Sequence, residues 1–143
     1  MHQDTFSGAK LMLFVGSQLL VIRRDHAPEI AFQGFLDFPG GGREKPESPV
    51  ECVLRETYEE VGLTIAPDQL IWCCKNIRAD GQTGWFFATH LSFDAALPVR
   101  FGGEGLGWSL VQPQAYLASA DAIPHFKISL DKYLAFCQGQ APN

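Results

Sequence analysis

The chain has 143 residues, of which 46% are hydrophobic and 19% charged, and this is the composition of an ordinary folded protein. Its formal net charge of -5 argues against broad electrostatic binding to nucleic acid or to an anionic membrane. A phosphorylated small ligand is still compatible with that charge, because a divalent cation can reverse the local field. We therefore expect a single domain over residues 1–143 that binds a small molecule, and neither a nucleic acid polymer nor a membrane.

The four cysteines, Cys52, Cys73, Cys74 and Cys137, form no Cys-x-x-Cys pair. Cys73 and Cys74 are adjacent on a predicted strand and should point to opposite faces. Neither a structural zinc site nor a disulfide scaffold is expected, and the thiols are predicted to be buried and reduced. The opening MHQDTFSGAK lacks a basic-then-apolar segment, and no apolar run approaches the ~20 residues that span a bilayer. We expect a cytoplasmic protein.

Three apolar segments open the predicted fold. Residues 10–15 (KLMLFV) and 18–24 (QLLVIRR) flank a Gly-Ser turn and predict a hairpin whose inner residues are buried. Residues 35–38 (FLDF) predict a short strand that stops at a proline. Three consecutive glycines follow, and we interpret them as a glycine-rich loop.

The clearest helix of the sequence covers residues 49–61. Ser48 can cap it, Pro49 suits its first turn, and Glu51 completes a Ser-x-x-Glu capping box. Gly62 stands where a helix commonly ends in a left-handed residue. Start and stop signals therefore agree on the bounds of this helix.

The second half of the chain predicts further strands and two more helices. Residues 69–77 (QLIWCCKNI) and 85–93 (WFFATHLSF) predict strands joined by an Asp-Gly turn, and residues 106–111 predict another strand. A short helix is expected through residue 117, and residues 126–136 have nearly helical apolar periodicity. Strands on both sides of one central helix, followed by a C-terminal helix, predict an α+β layered sandwich with a mixed sheet.

Three glutamates cluster on the helix at 49–61. At 100° per residue, Glu56, Glu59 and Glu60 fall within about 100° of arc on the face opposite the apolar one. Like charges at these spacings repel by a few tenths of a kcal/mol each, so a stabilising partner is expected. A hard divalent cation bound by carboxylate oxygens is a natural candidate. The residues of the apolar arc, expected to pack on the sheet, are Val50, Val53, Leu54, Thr57 and Val61.

A merely solvated acidic face is the alternative explanation, because charge runs on helices are usually surface. The context upstream favours a ligand, since a glycine-rich segment lets backbone groups approach one closely. The glycines at residues 40–42 lie just upstream of this helix in the sequence.

The spacing of the whole segment resembles the Nudix box. From Gly41 it runs Gly-x5-Glu-x7-Arg-Glu-x2-Glu-Glu-x-Gly-Leu over residues 41–63, matching every fixed polar and glycine position. Thr57 departs from the pattern, because the family prefers a bulkier aliphatic residue there. Residues 38–41 (FPGG) look like the lead-in of mutator-type (MutT-like) Nudix enzymes. The sequence around Glu104 is similar to the loop where such enzymes supply another metal-ligating glutamate.

This resemblance implies an α/β/α sandwich with a mixed β-sheet between helices, and a hydrolase that cleaves phosphoric anhydrides with Mg²⁺, or Mn²⁺ as a substitute. Arg55 cannot act as a base at neutral pH and is expected to orient Glu56 or Glu47. The general base stays open between Glu56 and Glu104, and an exposed loop charge is the alternative for Glu104. The metal ligands implied by the resemblance are Glu56, Glu59, Glu60, Glu104 and the Gly40 carbonyl.

Two arginines and one histidine are candidate substrate contacts. Arg23 and Arg24 end the second predicted strand and could reach a phosphate or a base edge, and strand alternation leaves one of them facing the cleft. His125 lies near the position where mutator-type enzymes place a base-reading residue. The segment lacks the asparagine associated with 8-oxoguanine selection, so that specificity is not expected.

Three aromatic residues could stack on a nucleobase, with core packing as the alternative for each. They are Phe35, Trp85 and Phe87.

The leading hypothesis is hydrolysis of a nucleoside triphosphate to a monophosphate and pyrophosphate. Hydrolysis of ADP-ribose, a sugar nucleotide or a dinucleoside polyphosphate is the alternative within the same class. A catalytically silent Nudix-fold binding module and a plain calcium-binding protein are rivals from other classes, although the oxygen-rich loop of typical calcium sites is absent. The expected partner is a nucleotide or a nucleoside-diphosphate-linked molecule, and the protein is expected to be a monomer or a homodimer.

Overall fold

The computed structural model describes residues 5–96, 98–103 and 105–139. Within these residues a mixed sheet lies between helices, and one 3-10 turn covers Pro67–Gln69. The strands are β1 (Gly8–Val15), β2 (Gln18–Arg23), β3 (Leu36–Asp37), β4 (Gly40–Gly42), β5 (Trp72–Ile77), β6 (Thr83–Leu91) and β7 (Gly107–Val111). The helices are α1 (Pro49–Val61), α2 (Phe93–Ala96), α3 (Pro113–Ala118) and α4 (Pro124–Gly139).

Strand β1 lies at the centre of the sheet. It forms the predicted hairpin with β2, runs parallel to β6 along its whole length, and also pairs with β4. The main order is β3-β2-β1-β6-β5, and β7 adds to β2. Since every pairing except that of β1 with β6 is antiparallel, the sheet is mixed, as predicted.

Alternation along the central strands divides the core into two layers. The α1-side core contains Leu11, Leu13, Val53 and Phe87 among its buried residues. The α4-side core lies on the other face of the sheet and packs α3 and α4 against it. Its members include Met12, Phe14, Phe38, Phe86, Tyr116, Phe126, Leu130 and Tyr133. Helices thus cover both faces, which confirms the predicted α+β sandwich.

Helix α1 has the bounds and caps that the sequence predicts. The Ser48 hydroxyl accepts a hydrogen bond from the Glu51 backbone N–H at 3.1 Å, and the Glu51 carboxylate accepts one from the Ser48 N–H at 2.8 Å. At the other end Gly62 is left-handed with φ 74°, and its N–H donates to the Tyr58 carbonyl. The helix is therefore fixed at both ends before any tertiary contact is considered.

One predicted loop and one predicted strand differ from expectation. The three glycines form β4, which pairs antiparallel with the start of β1, because a backbone without side chains can approach that strand closely. A Cβ on Gly40 would collide with the Ala9 carbonyl oxygen. The predicted strand at 85–93 ends earlier, at Leu91, and the short helix α2 follows it.

The cysteines are placed only partly as expected. Cys73 and Cys74 do point to opposite faces of β5, but Cys52 alone is fully buried, whereas Cys73 and Cys137 are exposed. The prediction of buried thiols is wrong for those two because β5 is a sheet edge and Cys137 lies on the outer face of α4. In the described part of the chain, no helix has the length and apolarity needed to cross a membrane.

Candidate active site

Three of the four glutamates of α1 line one cavity. Glu56, Glu59 and Glu60, together with Gly102, line a space of about 280 Å³ that we call the acidic cavity. Glu59 is half-exposed, whereas the Glu56 side chain is only 18% exposed. The helical spacing of the sequence therefore does bring the three carboxylates to a common space.

Glu60 does not lie on the face opposite the apolar one, which corrects the expectation from the helical wheel. It follows Val53 by seven residues, which at 100° per residue separates them by only about 20°. Its carboxylate is consequently largely buried, and its Oε1 accepts a hydrogen bond from the Gly40 N–H at 2.7 Å. Burial raises the pKa of Glu60 from 4.5 to about 7, although the nearby Lys10 ammonium opposes that rise.

Arg55 organises the other carboxylates. Its Nε and Nη2 donate to both oxygens of Glu47, and its Nη1 donates to Glu56 at 3.0 Å and to Glu59 at 3.2 Å. This bidentate pairing holds the pKa of Glu47 below its usual range. Burial, by contrast, raises the pKa of Glu56. The guanidinium therefore orients Glu47 and Glu56 together.

The acidic cavity suits a hard divalent cation by the chemistry of its donors, since three carboxylates are oxygen ligands of the kind Mg²⁺ takes. As the side chains stand, however, no three histidine, cysteine or acidic groups among the described residues converge closely enough to hold an ion. Glu56 and Glu59 are turned toward Arg55 Nη1 instead. Ion binding there requires those two carboxylates to rotate away from the guanidinium.

The glycine strand β4 separates this cavity from the next one. The Gly40 carbonyl accepts a hydrogen bond from Lys10 Nζ at 3.1 Å, while its N–H donates to Glu60 on the acidic side. A Cβ on Gly41 would collide with the Glu56 carboxylate. A Cβ on Gly42 would meet nothing closer than the Ser7 carbonyl oxygen at 3.9 Å. Gly41 in particular is therefore fitted to the position of Glu56.

On the other side of β4 lies a cleft of about 370 Å³, which we call the cationic cleft. The start of α4 and the loop before β3 form its walls, and the ends of β1, β5 and β6 form its floor. The functional groups among its lining residues are Lys10, Arg24, Phe32, Asn76, Arg78, Phe86, His125 and Phe126, and its small residues include Gly8, Gly41, Gly42 and Gly84.

Asp37 holds two of these cations in place. Its carboxylate pairs with Lys10 Nζ at 3.0 Å and with Arg24 Nε at 3.1 Å, and it also accepts the N–H of Phe38. The Asp37 side chain is only 13% exposed, so water screens these pairs weakly. The two cations are thereby fixed at the edge of the cleft nearest α1.

A third cavity of about 230 Å³, which we call the bridging cavity, has lining residues in common with both regions. It shares Arg24 with the cationic cleft and Glu60 with the acidic cavity, and Asp37 and Gly105 also line it. Arg24 and Glu60 therefore each border two neighbouring cavities.

The candidate substrate contacts are divided by the fold. Arg24 and His125 line the cationic cleft, whereas Arg23 donates to the Gly34 carbonyl and pairs with Asp121 away from it. Phe35 packs against the α4-side core. Phe87 is 4% exposed in the α1-side core, on the face of the sheet opposite the cleft.

Trp85 borders the cleft, but its ring packs against the α1-side core, and Lys75 Nζ lies 5.4 Å from its centroid. Core packing, the alternative to stacking on a nucleobase, therefore describes the position of the Trp85 ring as well as that of Phe87. Neither ring faces the cleft.

Sequence reasoning missed Phe32, Asn76 and Arg78. Phe32 is the described non-glycine residue with a left-handed backbone, φ 53°, and its ring lies 6.1 Å from that of His125. A bulky residue in that region is strained and is commonly found at functional sites. No sequence pattern marks Phe32, whereas the alternation of β5 does put residue 76 on the same face as Cys74.

Glu104 lies outside the described residues. The segment before it is fixed to the end of α1, since the backbone N–H groups of Arg100 and Gly102 donate to the carbonyls of Val61 and Glu60, each at 2.7 Å. Gly102 lines the acidic cavity and Gly105 lines the bridging cavity.

The fold and this arrangement define a Nudix-type protein, and comparison with known proteins agrees. Residues 5–131 match the NUDIX domain family, so the chain belongs to the Nudix family of hydrolases and is an enzyme of that class. Several solved structures are similar in fold. One is a MutT protein from Methanosarcina mazei Go1, with 18% identity, 99% of this chain and 100% of that chain covered, and a TM-score of 0.73. Another is a C. elegans Ap4A hydrolase in a binary complex, with 20% identity, 92% of this chain and 98% of that chain covered, and a TM-score of 0.71. The E. coli dihydroneopterin triphosphate pyrophosphohydrolase is similar as well, with 16% identity, 91% of this chain and 97% of that chain covered, and a TM-score of 0.64.

Proposed function

We propose that the chain hydrolyses a nucleoside triphosphate to a monophosphate and pyrophosphate in a reaction that requires Mg²⁺, with Mn²⁺ as a substitute. The observation that supports this best is the bridging cavity, which shares Arg24 with the cationic cleft and Glu60 with the acidic cavity. A nucleotide bound with its base in the cleft has its phosphates directed toward α1.

Glu56, Glu59 and Glu60 are the proposed metal ligands, with the Gly40 carbonyl and Glu104 as further oxygen ligands. Mg²⁺ held by such a set supplies neutralisation of phosphate charge and a lowered pKa of water. Among these ligands, the Gly40 carbonyl is in contact with Lys10, whose ammonium donates a hydrogen bond to it. A cation bound to that oxygen would compete with the Lys10 ammonium, which would keep its contacts with the Asp37 carboxylate and the Phe38 carbonyl.

The hydrolytic step needs a water, a base and charge stabilisation. Water attacks an internal phosphorus, the phosphoric anhydride bond breaks, and the water proton passes to a carboxylate. Glu56 is one candidate for that base, because burial raises its pKa and its carboxylate lines the acidic cavity. Glu104 is the other. A Glu104→Gln variant with a severalfold lower rate supports a role for Glu104, and an unchanged rate leaves it a surface charge.

Arg24 and Lys10 are proposed to hold the phosphates. Both are anchored by Asp37 at the boundary between the cleft and the bridging cavity, so they present positive charge along the path from the base to α1. Arg24 Nη2 makes no hydrogen bond to a described residue and is available to an oxygen of the substrate.

A hydrolysis panel tests the proposal. Purified protein is incubated with Mg²⁺ and each nucleoside triphosphate, ADP-ribose, sugar nucleotides and dinucleoside polyphosphates, and the products are resolved by chromatography. Monophosphate and pyrophosphate from a triphosphate support the proposal. Cleavage of the diphosphate-linked compounds alone replaces it with the alternative within the class, the Ap4A hydrolase likeness being one precedent for such a substrate. Metal binding without hydrolysis of any compound makes the protein a binding module.

A further inference from the structure

The charge of the cationic cleft is opposite to that of the chain. Lys10, Arg24 and Arg78 line it, and no aspartate or glutamate does so among the residues that the structure describes, although the chain as a whole carries a formal charge of -5. An electron-rich group is therefore favoured in the cleft. Phosphate oxygens and the carbonyl oxygens of a base are the two kinds that a nucleotide offers.

The shape of the cleft favours the base. Phe32, Phe86, His125 and Phe126 gather at one end, with the His125 ring at 4.8 Å from Phe126 and 6.4 Å from Phe86. Phe86 and Phe126 are nearly fully buried in the α4-side core, so Phe32 and His125 are the rings that a ligand can contact over their faces. Aromatic walls suit a planar ring and offer little to a phosphate. The acidic cavity and the bridging cavity already provide the phosphate end of the proposed substrate.

Two polar side chains of β5 and its extension have unused hydrogen-bonding groups at this end. The Asn76 amide makes no hydrogen bond to any residue in the described ranges. Arg78 donates from Nη2 to Ser7 and Gln82, and its Nε lies 3.8 Å from the carboxylate of Asp80. The side chain is exposed, and its Nη1 has no partner within those ranges. Being two residues apart in an extended segment, Asn76 and Arg78 share a face.

The floor beside Asn76 has room for a ligand. Asn76 pairs across the sheet with Gly84, and a Cβ on Gly84 would have no neighbour closer than 3.7 Å. A side chain at position 84 would therefore be accommodated without a clash, and its absence leaves the surface beside the Asn76 amide uncovered.

We propose that Asn76 and Arg78 determine base specificity by donating hydrogen bonds to the carbonyl edge of the base. The enzyme then prefers bases with an oxo group, 6-oxopurines and 4-oxopyrimidines, over their amino counterparts. This inference rests on the proposed function, because it assumes that the cleft holds the base of a nucleotide.

The preference follows from which group meets the donors. An oxo group accepts from Arg78 Nη1 or from the Asn76 amide N–H, whichever lies in reach. An amino group at the same position cannot accept from Arg78, which has donors only, whereas Asn76 can turn its Oδ1 toward an amino group. The discrimination therefore rests on the Arg78 guanidinium, with Asn76 as an adaptable partner. Burial and the neighbouring Arg78 and Arg24 charges lower the pKa of His125, so its neutral ring adds no charge and offers one N–H donor and one acceptor nitrogen.

Matched substrate pairs isolate this effect. ITP and ATP differ in the 6-substituent, oxo against amino, and with it in the adjacent ring nitrogen, which bears N–H in ITP and a lone pair in ATP. UTP and CTP differ in the same two respects on the smaller ring. We expect kcat/KM to be about tenfold higher for each oxo member, which is the effect of one hydrogen bond from a charged donor. Arg78→Gln should bring both ratios close to one. Asn76→Asp replaces a donor by an acceptor at constant shape and should shift both ratios toward the amino member.

Lys75→Gln is the matched control. It removes a positive charge from the same strand, but the Lys75 ammonium lies over the Trp85 ring on the opposite face. Both ratios should keep their wild-type values in this variant. An equal fall in both ratios would mean that general charge, not base reading, is responsible.

The remaining outcomes separate this inference from the proposed function. Hydrolysis of all four nucleotides with ratios near one overturns the inference and leaves the function intact. A uniform rise in KM in Arg78→Gln, with unchanged ratios, assigns Arg78 to phosphate and also overturns it. If no nucleoside triphosphate of the hydrolysis panel is cleaved, the proposed function fails, and calorimetric binding of IMP, AMP, UMP and CMP tests base reading without it. The same binding measurement decides if the panel shows cleavage of other triphosphates but of none of these four. Tighter binding of IMP and UMP then supports base reading, and equal binding contradicts it.

Discussion

The acidic cavity and the cationic cleft lie on either side of one glycine strand, but they are built in different ways. The carboxylates Glu56, Glu59 and Glu60 all come from one helix whose caps fix their relative positions. The cleft is assembled from distant segments, with Lys10 on β1, Arg24 after β2, Asn76 on β5 and His125 on α4. The residues expected to carry the chemistry are therefore close together in the sequence. Those expected to recognise the substrate come together only through the packing of strands and helices.

The largest expected effect is on the acidic side. Glu59→Gln or Glu60→Gln should lower the Mg²⁺-dependent turnover by orders of magnitude, because each removes a charged oxygen ligand while keeping the side-chain shape. Steady-state kinetics measure the loss, and circular dichroism checks the fold. Asp131→Asn, on the exposed face of α4, is the control for loss of a negative charge. Near-wild-type rates in either glutamate variant would remove the metal assignment.

The strand between the two regions should be sensitive at one glycine and tolerant at the next. Gly41→Ala puts a methyl group where the Glu56 carboxylate now lies, so we expect roughly a hundredfold loss of turnover, as for misplacement of a reacting group. Gly42→Ala has room for the same methyl group and should retain activity. Neither residue has a left-handed φ, so backbone strain does not separate them. Equal losses in both variants would show that β4 simply tolerates no side chain.

The boundary residue Asp37 should affect binding more than chemistry. Asp37→Asn keeps an oxygen that can accept the Phe38 N–H, but it removes the charge that anchors Lys10 and Arg24. We expect about a tenfold rise in KM with a much smaller change in kcat, since about 1.4 kcal/mol of phosphate binding corresponds to that factor. A fall in kcat with constant KM would instead assign Asp37 to the chemical step.

The smallest expected effect concerns stability and not turnover. The pH dependence of the free energy of unfolding should nevertheless give the clearest contrast between the two regions. Glu60 has a pKa of about 7 in the folded protein and 4.5 as the reference value, so the folded state keeps a proton that the unfolded state releases. In EDTA the free energy of unfolding should therefore fall as pH rises from 4.5 to 7, by at most about 3.5 kcal/mol at ~1.4 kcal/mol per pKa unit. Glu60→Gln should remove this dependence.

The cationic cleft should show the opposite sign. The pKa of His125 is lowered below its usual 6.5, chiefly by burial and then by the nearby Arg78 charge, so the unfolded state binds the proton first. The free energy of unfolding should fall as pH drops below 6.5, and His125→Gln should reduce that fall. Denaturant titrations between pH 5 and 8 measure both variants. Parallel curves for wild type and Glu60→Gln would mean that Glu60 is ionised at neutral pH.

Much of the acidic side was predictable from local patterns. The capping box at Ser48 and Glu51 and the left-handed Gly62 define α1 to the residue. The burial of Glu60 was not predicted. The apolar arc and the acidic arc of α1 each cover about 100° and lie side by side at one edge, so a residue at that edge of the acidic arc borders the buried face. Burial then gives it a property, a raised pKa, that spacing alone does not indicate.

The cleft was predictable only in part. Strand alternation correctly allowed for one of Arg23 and Arg24 to face the cleft, but which one depends on the pairing of β2 with β3 and β7. Phe87 was a stacking candidate by residue type, yet its position in β6 points it into the α1-side core. Asn76 and Arg78 carried no motif at all.

The sequence by itself determined the bounds of α1, the spacing of its three glutamates and the class of fold, because caps, helical periodicity and strand alternation are local properties of the chain. Only the tertiary structure decided that the glycines form a strand against β1, that Asp37 fixes Lys10 and Arg24, and that Asn76 and Arg78 face the cleft. Those outcomes depend on the register of strands and on contacts between residues far apart in sequence, such as Lys10 with Asp37 and Asn76 with Gly84. Composition and periodicity carry no information on such pairings, whereas packing of the two core layers selects them.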